Sequence, residues 1–290
     1  MRQKDECFIN CRRLVFPGRR VVAVSCWSPE ARRKSNWLPP TILSERSRRR
    51  ILILMTNKIC LVTGATRGIG RAIAKMMLEE GAQVAICGRH QEAVDQTVAQ
   101  LQAETGGKVA GKAADVRNHE EIAGLFRFVD AHFGGLDVLV NNAGVGVFRS
   151  VSDLSVEEWR WTLETNLSGV FYCCREAFPR FAARGGGYIV NISSLAGKNP
   201  FAGGSAYNAS KFGLNGFSEA MMLDKRSENV RVSYIMPGSV ATEFGGLGSD
   251  SGADWKIHSE DIAEIVKTLL RMPERTLISR VEVRPAKPKR

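Results

Sequence analysis

From residue 55 onward the sequence alternates short apolar runs with longer amphipathic stretches almost to its end, and no other feature constrains the fold as strongly. The runs are Ile59–Thr63, Ala82–Cys87, Val109–Ala114, Leu136–Val140, Gly187–Ile192, Val230–Met236 and Leu277–Val283. Most are continuous rather than alternating, the pattern of strands covered on both faces. Between them, helical patterning predicts segments near Ile69–Glu80, Gln91–Glu104, Asn118–Phe133, Val156–Ala183, Tyr207–Arg226 and Ser259–Arg271. Repeated strand–helix units predict a parallel sheet wrapped by helices, either an open doubly wound sheet or a closed barrel.

A glycine loop decides between them. Thr63-Gly64-Ala65-Thr66-Arg67-Gly68-Ile69-Gly70 follows the first run and opens the first helix, the place where a dinucleotide fold holds a pyrophosphate. Its spacing, G-x-x-x-G-x-G, differs from G-x-G-x-x-G, but the physics is shared. Glycines let the backbone turn tightly and approach a phosphate, which then sits against the free N–H groups of a helix N-terminus. The expectation is an α/β fold: a single doubly wound Rossmann-type domain over residues 55–290 with a seven-stranded, mostly parallel sheet.

Composition excludes several other classes. Hydrophobic residues make up 44% and charged residues 24% of the chain, a globular balance. The net charge of +11 would suggest nucleic acid were it spread over the body. Residues 1–54 hold 13 Lys/Arg against 4 Asp/Glu, a balance of +9, and the other 28 and 26 leave only +2 for the body. Nucleic-acid binding by the body is therefore not expected. The stretch 1–54 reads as a basic, disordered or mis-assigned extension ahead of a start at Met55, with an organelle-type targeting segment as the alternative. Val21–Val24 and Ile51–Met55 are too short to span a membrane, so no membrane partner is expected. Cys7, Cys11, Cys26, Cys60, Cys87, Cys173 and Cys174 form no CxxC pair and show no His partner at metal spacing. Neither a metal site nor a disulfide framework is expected, and the setting is read as reducing and cytoplasmic.

Further motifs follow the glycine loop in order: Asp115-Val116, Asn141-Asn142-Ala143-Gly144, Asn166, Ser194, Tyr207-x-x-x-Lys211 and Pro237-Gly238. With Thr63–Gly70 they resemble the short-chain dehydrogenase/reductase family over residues 56 to about 284. The overall pattern is similar to that of 3-oxoacyl-carrier-protein reductases, a framework shared with sugar, steroid and xenobiotic carbonyl reductases. The resemblance implies a nicotinamide cofactor held by Gly64, Thr66, Arg67, Gly68, Ile69 and Gly70. It also implies Asp115 on the adenine with Val116 against the ring, and Asn142 and Gly144 along the cofactor. Pro237, Gly238 and Thr242 would hold the nicotinamide end. For Asp115 alone, capping the helix that follows is a competing role.

The second run ends Cys87-Gly88-Arg89-His90, with no carboxylate to accept from an adenine ribose and repel a 2′-phosphate. Arg89, seconded by Arg67, pairs with such a phosphate instead, so the cofactor is expected to be NADP(H).

Ketone reduction needs a hydride at carbon and a proton at oxygen. Tyrosine, with an ordinary pKa of about 10, is a poor acid near neutrality unless a cation favours its phenolate. Tyr207 and Lys211 are four residues apart and share a helix face. Such a pair is common on solvated helices; what sets this one apart is Ser194, with Ser193 as the near-miss. The resemblance implies that Ser194 holds the substrate oxygen at Tyr207. It implies that Lys211 stabilises the tyrosinate and reaches the nicotinamide ribose, and that Asn166 holds a water linking Lys211 to solvent. A small-molecule carbonyl or alcohol substrate follows. Phe201, Phe244 and Trp255 are candidate pocket residues; the resemblance implies a substrate-covering lid between Thr242 and His258, and the glycine content of that stretch fits one. The resemblance also implies a homo-oligomer, tetramer or dimer, built on the two long helices. An NAD-linked alcohol dehydrogenase and a non-catalytic cofactor sensor are the rival readings.

Overall fold

The computed structural model describes residues 55–242, 244 and 254–287. The basic extension at 1–54 and most of the expected lid lie outside the described residues. The strands are β1 (Ile59–Val62), β2 (Gln83–Gly88), β3 (Val109–Ala113), β4 (Val138–Asn141), β5 (Gly187–Ile192), β6 (Val230–Pro237) and β7 (Arg280–Val283). Their order in the sheet is β3-β2-β1-β4-β5-β6-β7, and every neighbouring pair is parallel. The helices are α1 (Gly68–Glu79), α2 (Gln91–Thr105), α3 (His119–Phe133), α4 (Val156–Leu163), α5 (Gly169–Ala183), α6 (Ser205–Lys225) and α7 (Ser259–Arg271).

The continuous apolar runs are explained by two cores, one on each face of the sheet. Along β1, Cys60 and Val62 point into a core shared with Ile73 and Met77 of α1 and Val266 of α7. Ile59 and Leu61 point the other way, toward Phe126 of α3 and Phe181 of α5. The period-2 alternation of side chains thus feeds both faces, and each fully buried aliphatic side chain contributes roughly 1.5–3 kcal/mol. Cys60 and Cys87 are fully buried and act as small hydrophobes; burial pushes the Cys87 thiol up to about 11.

One predicted element differs in kind. The expected helix Val156–Ala183 is interrupted by a wider turn at Glu164–Ser168, where the Gly169 N–H bonds back to the Glu164 carbonyl. The buried side chain of Asn166, bonded to groups outside the helix, occupies this turn. Gly169 then lets the chain close on Val116, whose carbonyl oxygen would lie 2.9 Å from any Cβ there. Among the described residues no helix is long and apolar enough to cross a membrane.

Chain order reverses beside β1, which is flanked by β2 and β4. That divergence opens a crevice above the strand C-termini, where ligands of open α/β sheets bind.

Candidate active site

A cleft of about 890 Å³ occupies this edge. It is lined by the predicted residues Gly64, Thr66, Arg67, Gly68, Ile69, Arg89, Asp115, Val116, Asn142, Gly144, Ser194, Tyr207, Lys211, Pro237, Gly238 and Thr242. Gly70 and Asn166 stand behind the lining and shape it.

The glycine loop is held from below. Asn142 donates from Nδ2 to the carbonyls of Thr63 (3.0 Å) and Gly64 (2.9 Å), and its own N–H donates to Thr63 Oγ1 at 3.1 Å. Gly64 has φ +62, a left-handed conformation, and a Cβ there would meet Ala143 Cα at 2.7 Å. At Gly70 a Cβ would collide with the Asn142 amide and stand 2.5 Å from the Gly64 carbonyl oxygen. Gly70 is therefore a packing glycine rather than a lining one.

The N-terminus of α1 differs from those of α3 and α4. Asn118 caps α3, accepting from the Glu120 and Glu121 N–H groups, and Ser155 with Glu158 closes a capping box on α4. Both helices also carry acidic residues in their first turns. Helix α1 has no side-chain cap and no acidic residue there, and its N-cap residue is Arg67. Free N–H groups, the positive helix end and exposed Arg67 and Arg89 together form an anion site beside the cleft. The residues present fit a phosphate-bearing dinucleotide.

Asp115 does not take the capping role that competed for it, because Asn118 does. Its carboxylate accepts from Arg117 Nε at 3.1 and 3.0 Å and from Nη2 at 2.6 Å. Those bonds hold the carboxyl below its ordinary pKa, against the cost of burial. Arg117 also lines the cleft and was not found from sequence. The only signal was its place two residues after Asp115.

The two serines differ in their hydrogen bonding. Ser193 Oγ donates to Asn215 Oδ1 at 2.5 Å and is committed there. Ser194 Oγ accepts from the Ala196 N–H at 3.1 Å and lies close enough to Tyr207 to influence its phenol. Tyr207 and Lys211 lie one turn apart on α6, with the ammonium 5.8 Å from the ring centroid. Lys211 is 4% exposed and donates to the Ile192 carbonyl at 3.0 Å.

The pair's electrostatics differ from the sequence expectation. Burial holds the Tyr207 phenol above its ordinary pKa, although nearby Ser194 pulls the other way. Burial also depresses Lys211 to about 8. The cation expected to lower the phenol is itself weakened, because burial penalises both charged forms.

Asn166 is fully buried. Its Nδ2 donates to the Val145 carbonyl (2.8 Å) and to Ser210 Oγ (3.0 Å), while Oδ1 accepts from the Val145 N–H at 2.8 Å. Both amide protons are spent, so any further polar contact falls to the remaining lone pair on Oδ1. That atom and Lys211 Nζ converge at Gly144, where a Cβ would lie 3.3 and 3.9 Å from them. Thr165, also missed from sequence, is buried and lines the cleft with no hydrogen-bond partner for its hydroxyl. Of the aromatic candidates, Phe201 and Phe244 line the cleft, and Trp255 does not; Phe148 and Trp161 are there instead.

This edge is that of a dinucleotide-dependent oxidoreductase. Known proteins narrow it further. The sequence profile of the short chain dehydrogenases matches residues 58–249. An uncharacterized oxidoreductase of Staphylococcus aureus is 32% identical over 234 residues, covering 81% of this chain and all of that protein. A 3beta-hydroxysteroid dehydrogenase of Mediterraneibacter gnavus is 37% identical over 224 residues, 77% of this chain and 79% of that one. The crystal structure of a metagenomic short-chain oxidoreductase in complex with NADP superposes with a TM-score of 0.71 at 37% identity, covering 81% of this chain and all of that one. The chain belongs to the short-chain dehydrogenase family, whose cofactor is a nicotinamide dinucleotide.

Proposed function

We propose that the chain is an NADP(H)-dependent reductase of ketones in which Tyr207 protonates the carbonyl oxygen. The observation that carries this reading is the convergence of Ser194, Tyr207 and Lys211 in one cleft with the uncapped, arginine-flanked start of α1. When bound, NADPH supplies the hydride that reduces the carbonyl carbon. Ser194 Oγ orients the substrate oxygen, and the Tyr207 hydroxyl, beside it in the cleft, donates the proton. Lys211, with a pKa of about 8, exchanges protons readily near neutrality and supports the phenolate left behind. Asn166 Oδ1 offers a lone pair toward Lys211 for the water that returns the proton.

Preference for the phosphorylated cofactor is supported by Arg89 at the end of β2, by Arg67, and by the lack of a carboxylate in Cys87-Gly88-Arg89-His90. The NADP-bound relative supports the same choice. An NAD-linked alcohol dehydrogenase lacks that support. Exposed Phe171, Phe212 and Leu223 on α5 and α6 favour a homo-oligomer built on these helices.

A spectrophotometric screen of NADPH and NADH oxidation against a ketone panel tests the proposal. Turnover is expected with NADPH at a kcat/KM at least about tenfold above NADH, the equivalent of one charge-assisted contact. Tyr207→Phe should lower kcat by about 10²-fold or more while NADPH binding persists. Faster turnover with NADH refutes the cofactor assignment, and an active Tyr207→Phe enzyme refutes the role of Tyr207.

A further inference from the structure

We propose that the cleft selects ketones whose carbonyl is flanked by a flat apolar ring, and that Phe148, Phe201 and Phe244 make the selection. The inference rests on Tyr207 being the residue that meets the carbonyl oxygen.

Three phenylalanines converge where Tyr207 faces the cleft. Phe148, Phe201 and Phe244 are 40%, 46% and 37% exposed, and all three line the cleft. Phe148 meets the Tyr207 ring edge-on at a centroid distance of 5.5 Å, and Phe244 meets it tilted at 5.8 Å. Phe201 extends the array from Phe148, also at 5.8 Å. These are the separations at which aromatic quadrupoles attract, and all three side chains keep part of their surface exposed.

The backbone is shaped to hold the rings there. A Cβ at Gly146 would stand 2.7 Å from a Phe244 ring atom and 2.8 Å from a Phe148 ring atom, so the missing side chain admits both. Gly204 similarly admits Phe201, whose ring would lie 2.6 Å from a Cβ. Asn208, buried on α6, fixes the same loop by donating to the Ala196 carbonyl at 2.8 Å. The cations next to Phe148 and Phe201 in sequence are committed to carboxylates, Arg149 to Glu158 at 2.7 Å and Lys198 to Glu282 at 2.5 Å. The rim thus offers exposed π faces beside the proton donor. A straight alkyl chain buries apolar area against such walls, but only a flat ring adds the aromatic contact geometry. That addition is worth roughly a factor of ten when the ring pairs well.

The test compares 2-tetralone with 2-decanone, which have equal carbon counts. NADPH-linked kcat/KM is measured for both, as is calorimetric binding of each to the full-length enzyme loaded with NADP⁺. The expected result is a preference of about tenfold or more for tetralone in both measurements. Phe148→Leu and Phe201→Leu keep an apolar side chain but remove the ring, and each should lower the preference severalfold while decanone changes little. Phe244→Leu provides a third variant should either of the others fail to fold. Equal binding of the two ketones by the wild type, or an undiminished preference in the leucine variants, overturns the inference. Binding preference without turnover upholds ring selection and sinks the reductase reading. Turnover without preference does the reverse.

Discussion

Burying Lys211 makes the folded chain less stable than its packing alone would allow, and the deficit is measurable. The side chain is almost wholly enclosed, and desolvation depresses its pKa from 10.5 to about 8. Each tenfold in a protonation equilibrium is worth about 1.4 kcal/mol, so the charged form is disfavoured on folding by about 3 kcal/mol. The sign depends on which state holds the proton. Below about pH 8 both folded and unfolded chains carry it, and the full penalty is present. Between about pH 8 and 10.5 the unfolded chain binds more protons, so the lysine contribution makes stability rise with pH. Above that window neither state carries the proton, and the penalty is gone.

Lys211→Met keeps the stem and removes the charge. It also leaves the Ile192 carbonyl, now bonded at 3.0 Å, without its donor, a loss of about 1–2 kcal/mol. The net expectation for the cofactor-free protein at pH 7 is a gain of about 1–2 kcal/mol with activity abolished. The pH dependence is more decisive, because the lost hydrogen bond is common to all pH values and cancels. Urea unfolding should show the wild type gaining about 3 kcal/mol on the variant between pH 7 and 10.5. A difference that stays flat across that range would refute the claim that burial depresses Lys211.

Two further substitutions separate roles that the sequence left adjacent. Ser194→Ala should reduce kcat/KM by about 10²-fold with little change in stability. Ser193→Ala should leave turnover within a few-fold but lower stability by about 1–2 kcal/mol, because Asn215 Oδ1 loses its donor; steady-state kinetics and urea unfolding read the two effects. Gly70→Ala should destabilise the fold by about 1–3 kcal/mol and weaken NADPH binding by about tenfold. The added methyl displaces the Asn142 amide that ties the glycine loop together. Unaltered cofactor affinity in a fluorescence titration would show that the loop does not depend on this contact.

Some elements were legible because one local rule governed them. Strand β5 and helix α7 begin and end where the pattern placed them, since a continuous apolar run and a clean amphipathic stripe admit little ambiguity. Strand β7 was read too long. Leu277 and Ile278 pack against the core, as their apolarity demands, yet the parallel pairing begins only at Arg280. Burial and ladder formation are separate requirements, and hydropathy reports only the first. The break in the long helix was equally silent in periodicity. Its traces were a polar Asn166 and a Gly169 amid helix formers, and the cause lies in contacts with Val145 and Ser210, both distant in sequence.

The site divides along the same line. Phosphate binding and proton transfer demand particular side chains, so Arg89, Ser194, Tyr207 and Lys211 stood out by type and spacing, and the cleft gathers them. Shape makes no such demand on residue type. Trp255 was read as apolar lining while Phe148 and Trp161 were not, and only long-range folding of the loops admits these two and leaves out the first. The direction of the Tyr207 shift belongs to this second kind, because it depends on how completely the aromatic rim and the lysine stem exclude water. Burial of a side chain is a property of the whole fold, which no local spacing reports.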